Sequence, residues 1–397
     1  MATITKRGDT YRIRASCGYD STGKQIMKSM TWKPLPRMTQ KQIEKELERQ
    51  KVLFEEKCRS GHYVDPHIKF EAFAEQWFTD YAKDHLRDRT YYRYKQLSVR
   101  TYAAMGHLPL LKISPQVLLN FYSQLAERGQ NQRTGGGLSE KTIKHYHTFI
   151  SSVMDRAIKW GAITDNPCKR IDTPKVTKKQ LDFMNEEEII AFLNALENEN
   201  TENRCIFITL IYTGLRRSEL LGLEWQDIDF DSGVISVVRT SQYVKEKGTY
   251  TDTTKTTESQ RSIKASGVVI EALKKHKAAQ GLRREEIGDK WIKSNRVFTQ
   301  INGLPMSPNT PYQKLQKILK RNGLRSVSLH SLRHSNATLL INQGVNIKTV
   351  SGRLGHSQTS TTLNIYAHQI KSADAAASDA IEMAIGRQYK EKQKELP

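Results

Sequence analysis

A basic, proline-interrupted stretch runs through the middle of this chain: Lys169-Arg170-Ile171-Asp172-Thr173-Pro174-Lys175-Val176-Thr177-Lys178-Lys179. It follows the break at Asn166-Pro167 and is too polar to pack into a core, so it reads as a link between separately folded bodies. At 397 residues the chain also exceeds one compact domain of ordinary size. The expected organisation is residues 1–63, residues 68–170, a basic linker over 171–181, and residues 182–397. The expected fold class is mainly α with small β-sheets (α+β, multidomain). It comprises an N-terminal three-stranded sheet plus one helix, a helical bundle, and a mixed, mainly helical domain that ends in a tail helix over about Ala373 to Ile385.

Local patterns place the elements. Thr10-Tyr11-Arg12-Ile13-Arg14-Ala15 alternates as a strand, Asp20 to Lys24 turns, and Gln25 to Trp32 returns. Pro34 and Pro36 close the sheet, and Thr39 caps a charged helix from about Gln40 to Arg59. The exposed strand face is expected to carry Arg12, Arg14, Lys24 and Lys28, cations suited to a nucleic-acid groove. In the second body Thr90-Tyr91-Tyr92-Arg93-Tyr94-Lys95 interleaves rings with cations, and part of that ring set must be core. Ser139 caps a further helix whose first turns hold Lys141 and Lys144, where cations and the helix dipole favour phosphate. In the third body Val234-Ile235-Ser236-Val237-Val238 is strand-like, and the polar stretch from Tyr250 to Lys264 is expected to return as a hairpin.

The net charge of +21 and pI near 9.7 point to a polyanionic partner, of which nucleic acid is the commonest. The basic residues recur along the chain rather than gathering on one amphipathic helix, which argues against a membrane surface. No run approaches 18 apolar residues, so no spanning helix is expected. The opening Met1-Ala2-Thr3-Ile4-Thr5-Lys6-Arg7 lacks the apolar core of a signal peptide. Cys17, Cys58, Cys168 and Cys205 form no Cys-x-x-Cys pair, so a disulfide framework or zinc knot is not expected and a reducing cytoplasm fits.

Four segments of the last half carry the chemistry: Thr213-Gly214-Leu215-Arg216-Arg217-Ser218-Glu219, His330-Ser331-Leu332-Arg333-His334, Leu354-Gly355-His356, and Thr362-Leu363-Asn364-Ile365-Tyr366-Ala367-His368. Attack on a phosphodiester adds negative charge to its equatorial oxygens. Guanidinium groups stay protonated and present paired donors, so Arg216 and Arg333 suit that charge. His330 and His356 can donate or relay a proton near neutrality. Tyr366 is the candidate nucleophile, a phenol that needs nearby positive charge or a base to act. His330 and Arg333 share one face of a helix that begins near Ser328. Gly355 stops a second helix just before His356. Singly, each residue has a structural explanation: a core tyrosine, or an Arg216–Glu219 ion pair along a helix. His330 and His334 stand at i and i+4, but no glutamate follows the first and no third ligand is near, so no metal site is expected. All the structural explanations holding at once is improbable.

This ordered set resembles the tyrosine recombinases, or phage-type integrases. The resemblance extends upstream through Gly106, Ile113-Ser114-Pro115, Leu138 to Ile143 and Trp160-Gly161-Ala162-Ile163 to Asn166-Pro167, and covers about residues 70–370. Residues 68–170 resemble that family's helical core-binding domain. Residues 1–63 resemble, more weakly, the arm-type DNA-binding domain found in integrases of conjugative transposons and temperate phages. The resemblance implies that Arg216, His330, Arg333 and His356 hold the scissile phosphate and that Tyr366 forms a 3′-phosphotyrosyl bond. It also implies a hairpin lysine that protonates the leaving 5′ oxygen. Lys255 fits best, with Lys245, Lys247 and Lys264 as neighbours, and Glu219 matches an acid that orients the residues around it. The tail helix resembles a segment that family members dock onto a neighbouring protomer.

The expected function is a site-specific DNA recombinase that needs neither ATP nor a metal or other cofactor. Its expected partners are double-stranded DNA at core and arm sites, three further copies of the chain, and an accessory DNA-bending or excision factor. The alternatives are a DNA-binding regulator that keeps the fold without strand exchange, and a topoisomerase using similar chemistry.

Overall fold

The computed structural model describes residues 2–19, 22–59, 67–176, 182–253 and 260–355, with Ser360 and Leu363. It divides into two compact units, Met1–Lys178 and Lys179–Pro397. Lys255, His356, Tyr366 and the tail helix expected over residues 373–385 lie outside the described residues.

The first unit opens with an antiparallel sheet of β1 (Thr3–Arg7), β2 (Thr10–Tyr19) and β3 (Gln25–Trp32), in that order. Helix α1 (Gln40–Arg59) supplies Leu47, Phe54 and Cys58 to a core shared with Tyr11, Ile13 and Ala15 of β2. Strand alternation therefore sends Arg12 and Arg14 to the opposite face, where the Arg12 guanidinium donates to Ser29 Oγ at 3.1 Å. Lys28 departs from expectation. It pairs across from Ala15, and residues directly opposite in a ladder point to the same side. Lys28 thus stands on the helix side of the sheet, apart from Arg12 and Arg14, and its charge acts on the buried Cys58 thiol.

The same unit holds helices α2 (Phe70–Trp77), α3 (Asp88–Thr101), α4 (Pro115–Ala126) and α5 (Glu140–Lys159). Phe70, Phe73 and Trp77 of α2, Leu97 of α3, Phe121 of α4, and Phe149 and Val153 of α5 belong to their shared core, with Phe78. The Tyr94 ring lies 6.1 Å from Trp77 and 5.3 Å from Phe149, so it packs inward. Arg93 of α3 and Lys141 and Lys144 of α5 are exposed. Ser139 caps α5 as expected, accepting from the Thr142 amide at 3.3 Å. Arg93 and Lys141 are both close enough to His145 for their charges to lower its pKa, behind burial as the first cause. These cations therefore share one neighbourhood.

The second unit is built on α7 (Thr201–Thr213), buried continuously from Cys205 to Ile211, with α6 (Glu186–Leu196) and α9 (Gly267–Ile287) among its neighbours. Strands β4 (Ile228–Asp229), β5 (Val234–Val237) and β8 (Arg261–Lys264) make one sheet. Strands β6 (Arg239–Val244) and β7 (Gly248–Thr253) make a separate hairpin, turning at Gly248 with φ of 71°. The polar stretch thus serves two sheets: Tyr250 pairs with Gln242 and Lys264 with Val234. Among the described residues the unit also holds α8 (Arg217–Leu220), α10 (Thr310–Arg321), α11 (Leu329–Asn342) and α12 (Ile347–Leu354). None of the described helices is long and apolar enough to cross a membrane.

Candidate active site

Arg216 occupies a sharp junction. Helix α7 ends at Gly214 in the left-handed region, with φ of 67°, a conformation that glycine enters without a Cβ penalty. A Cβ there would meet Asn336 Oδ1 at 2.7 Å and Leu354 Cδ2 at 2.8 Å. Two residues later Arg216 is the N-cap of the one-turn helix α8. Its backbone N–H donates to Glu219 Oε2 at 3.0 Å and its Nη1 to Glu219 Oε1 at 2.6 Å. Nη1 also reaches the Leu354 carbonyl at 3.4 Å, and Nη2 the Gly355 carbonyl at 2.9 Å.

Arg333 comes from α11, capped by Ser328, whose Oγ accepts from the Ser331 amide at 3.1 Å. The residue is 2% exposed. Its Nη1 donates to the Gly214 carbonyl at 2.7 Å and its Nη2 to the Leu354 carbonyl at 2.6 Å. Both candidate clamp arginines are therefore drawn to the C-terminal end of α12. The last-turn carbonyls of a helix lack intrahelical partners and carry its negative dipole end, which makes them natural seats for cations. Gly355 closes α12 in the left-handed region, with φ of 66°, and the segment of His356 begins immediately after it.

Glu219 is 3% exposed. Burial alone would raise its pKa, but hydrogen bonding and charge from Arg261, together with the charge of Arg216, hold it below the usual carboxylate value. Arg261 was not among the residues expected from sequence. It opens β8, donates from Nη2 to Glu219 Oε2 at 2.9 Å and from Nη1 to Oε1 at 3.3 Å, and from Nε to the Arg353 carbonyl at 2.7 Å. No motif marks it, because the contacts that define it join residues far apart in the chain.

His330 lies on α11 with an exposed edge. Its ring stands 4.6 Å from that of His334, edge to face. Desolvation, followed by the charges of Arg333 and Arg216, lowers its pKa, so near neutrality it is an uncharged imidazole with one donor and one acceptor. Burial chiefly, then the charges of His330 and Arg333, push His334 down to about 4 against an opposing pull from Asp182.

The structure thus brings together Arg216, Glu219, His330 and Arg333. Of the lysines near Lys255 in sequence, Lys264 donates its ammonium to the Ser232 carbonyl at a turn. Lys245 and Lys247 lie in the turn between β6 and β7. The three guanidinium groups and one carboxylate leave this cluster strongly positive before any substrate arrives. Fixed donors of that kind stabilise an oxyanion that gains charge during reaction.

The chain is similar to known proteins over most of its length. Residues 181–372 match the phage integrase family, and residues 69–126 match the N-terminal SAM-like domain of phage integrases. A XerC-like tyrosine recombinase of Caldanaerobacter subterraneus is 29% identical, covering 94% of this chain and 95% of its own. A tyrosine recombinase of Thermosipho africanus is 32% identical, over 62% of this chain and 77% of its own. The integrase of the Tn1549 transposon, solved with a circular intermediate DNA, shares the fold with a TM-score of 0.63 at 22% identity, over 79% of this chain and 99% of that one. A lambda integrase tetramer solved on a Holliday junction shares it with a TM-score of 0.53 at 17% identity, over 90% and 96%.

Proposed function

The chain belongs to the phage integrase family, the tyrosine recombinases, and from that premise we propose that it integrates and excises a mobile DNA element. It is a site-specific recombinase. In the proposed reaction Tyr366 Oη attacks the scissile phosphorus, the bond to the 5′ oxygen breaks, and a 3′-phosphotyrosyl ester conserves the bond energy for rejoining. No external energy source is needed, because one phosphodiester replaces another. Arg216 and Arg333, with His330 and His356, hold the phosphate oxygens. Lys255 supplies the proton to the departing oxygen.

The observation that carries this reading is the convergence of Arg216 and Arg333 on the end of α12. In the sequence His356 directly follows that helix end, and Tyr366 comes ten residues after it. Each fixed donor of this kind contributes about 3–4 kcal/mol to lowering the barrier. Lys255 is favoured over its neighbours by the chain on either side of it. Thr253 pairs with Arg239 at the open end of the β6–β7 hairpin, Arg261 sits on Glu219, and Lys264 is engaged elsewhere.

Four protomers on two DNA sites would exchange one pair of strands at a time, in the cytoplasm. The arm-type contacts fall to Arg12 and Arg14, and the core-site contacts to Arg93, Lys141 and Lys144. The test uses nicked duplex DNA carrying the element's end, incubated with the protein and resolved on a denaturing gel. The wild type should yield a covalent adduct, and Tyr366→Phe should bind the DNA without one. An adduct that persists in Tyr366→Phe would overturn the nucleophile. Binding with no adduct in the wild type would favour a regulator that keeps the fold alone.

A further inference from the structure

We infer that Arg261 is a positioning residue for the cleavage step, one that keeps Arg216 available to the phosphate by satisfying Glu219 from the other side. The inference rests on the recombinase reading above and concerns a residue outside the set of groups that touch the phosphate.

The geometry is specific. Arg261 places a two-pronged fork on the Glu219 carboxylate, at 2.9 and 3.3 Å, while its Nε holds the Arg353 carbonyl at 2.7 Å. Its side chain is 8% exposed. Glu219 receives two further bonds from Arg216, one from the backbone and one from Nη1. A carboxylate has about four acceptor positions, so these four donors fill it. With the carboxylate shared, only one arm of the Arg216 guanidinium is spent on it. The Arg216 side chain keeps 34% of its surface exposed, whereas Arg261 and Glu219 are enclosed.

The same three arginines divide three successive carbonyls between them. Arg261 takes that of Arg353, Arg333 and Arg216 share that of Leu354, and Arg216 takes that of Gly355. Arg261 also stands at the start of β8, the point where the chain returns from the Lys255 segment. One side chain therefore ties together the acid that orients Arg216, the end of α12, and the strand that follows the lysine. Lysine could not replace it, because a single ammonium cannot place a planar fork on the carboxylate and also reach the carbonyl.

Without Arg261, the buried carboxylate draws the Arg216 guanidinium fully onto itself. The Arg261→Ala variant should then bind DNA within about twofold of wild type but form the covalent adduct on the order of 100-fold more slowly, the scale expected for a misplaced reacting group. Adding Glu219→Gln removes the competing charge, so Arg261→Ala/Glu219→Gln should recover at least about tenfold of that loss. A merely structural role predicts the reverse, since a second buried substitution would only weaken the fold further.

The experiment measures single-turnover adduct formation on nicked element-end DNA, using the full chain, alongside DNA affinity and urea unfolding for each variant. The inference is overturned if Arg261→Ala cleaves at the wild-type rate, or if the double variant is as slow as the single one while both are folded. Should Arg261→Ala not fold, Arg261→Lys decides: a roughly tenfold loss of rate at unchanged DNA affinity supports the inference, and wild-type cleavage overturns it. A wild-type protein that forms no adduct would instead defeat the recombinase mechanism itself, an outcome separate from any ranking of the variants.

Discussion

Arg216 and Arg333 donate to one acceptor, the carbonyl oxygen of Leu354, at 3.4 and 2.6 Å. Two like charges held at one atom repel, and the arrangement persists because the Glu219 carboxylate on Arg216 and the partial charge of the helix end compensate them. The pair is assembled before substrate arrives. A phosphate entering here meets donors already oriented, and little reorganisation remains for the reaction itself.

The two arginines should nevertheless fail differently when removed. Arg333 is enclosed and donates to the carbonyls of Gly214 and Leu354. Arg333→Ala therefore takes this donor from the Gly214 carbonyl, leaves the Leu354 carbonyl only the longer bond from Arg216, empties a buried site, and should cost about 3 kcal/mol of stability. Arg216 is about one-third exposed, and Arg216→Ala should cost about 1 kcal/mol. Both should slow adduct formation by about 100- to 1,000-fold while still binding DNA. Urea unfolding and cleavage of nicked substrate separate the two effects. Equal stability losses would show that burial does not distinguish the arginines.

Gly355 gives a second test of the same helix end. Its φ of 66° disfavours any side chain, and a Cβ would come within 2.6 Å of Arg261 Nη1. Gly355→Ala should therefore cost about 1–3 kcal/mol and slow cleavage by displacing Arg261. Gly352 lies inside α12, where an added Cβ would meet nothing within 4 Å, so Gly352→Ala should be neutral or stabilise by up to about 1 kcal/mol. Thermal unfolding of the two variants checks the contrast, and Gly355→Ala behaving like Gly352→Ala would refute it.

The helices around this site were legible in the sequence because their signals are local. Ser328 and Asn346 cap α11 and α12, and Gly355 ends the second in the expected conformation. Arg216 and Arg333 were legible through their motifs. Two features were not. The role of Arg261 depends on partners 42 and 92 positions away, which no window of sequence contains. The face occupied by Lys28 depends on strand register, where a shift of one residue reverses every side chain. Alternation within β2 gave the side of Arg12 and Arg14 correctly, but it carries no information about how β3 aligns with it.

Acid should destabilise the second unit through His334. The unfolded histidine titrates near 6.5, whereas burial first, then the charges of His330 and Arg333, hold the folded one at about 4. As pH falls from about 6.5 to 4, the unfolded chain takes up a proton that the folded chain refuses, so stability declines across that window. The loss approaches about 3 kcal/mol. Urea midpoints measured from pH 7 to 4.5 should fall, and His334→Phe should flatten the slope. Because His330 and His276 are also lowered, some slope should remain. A His334→Phe slope equal to that of wild type would remove His334 as the cause.

The register of the N-terminal sheet makes a prediction about DNA rather than stability. Arg12 and Arg14 share the sheet face turned away from α1, and Lys28 stands across from Ala15 on the other side. If the open face lies against DNA, Arg12→Ala and Arg14→Ala should each lower the salt-dependence slope of binding by about one and weaken affinity across sequences. Lys28→Ala should leave that slope unchanged, although all three substitutions remove the same charge. Fluorescence anisotropy on arm-site duplex DNA, titrated at several salt concentrations, reads the slopes directly. Equal effects from Lys28 and the arginines would mean that the helix side of the sheet, or net charge alone, governs binding.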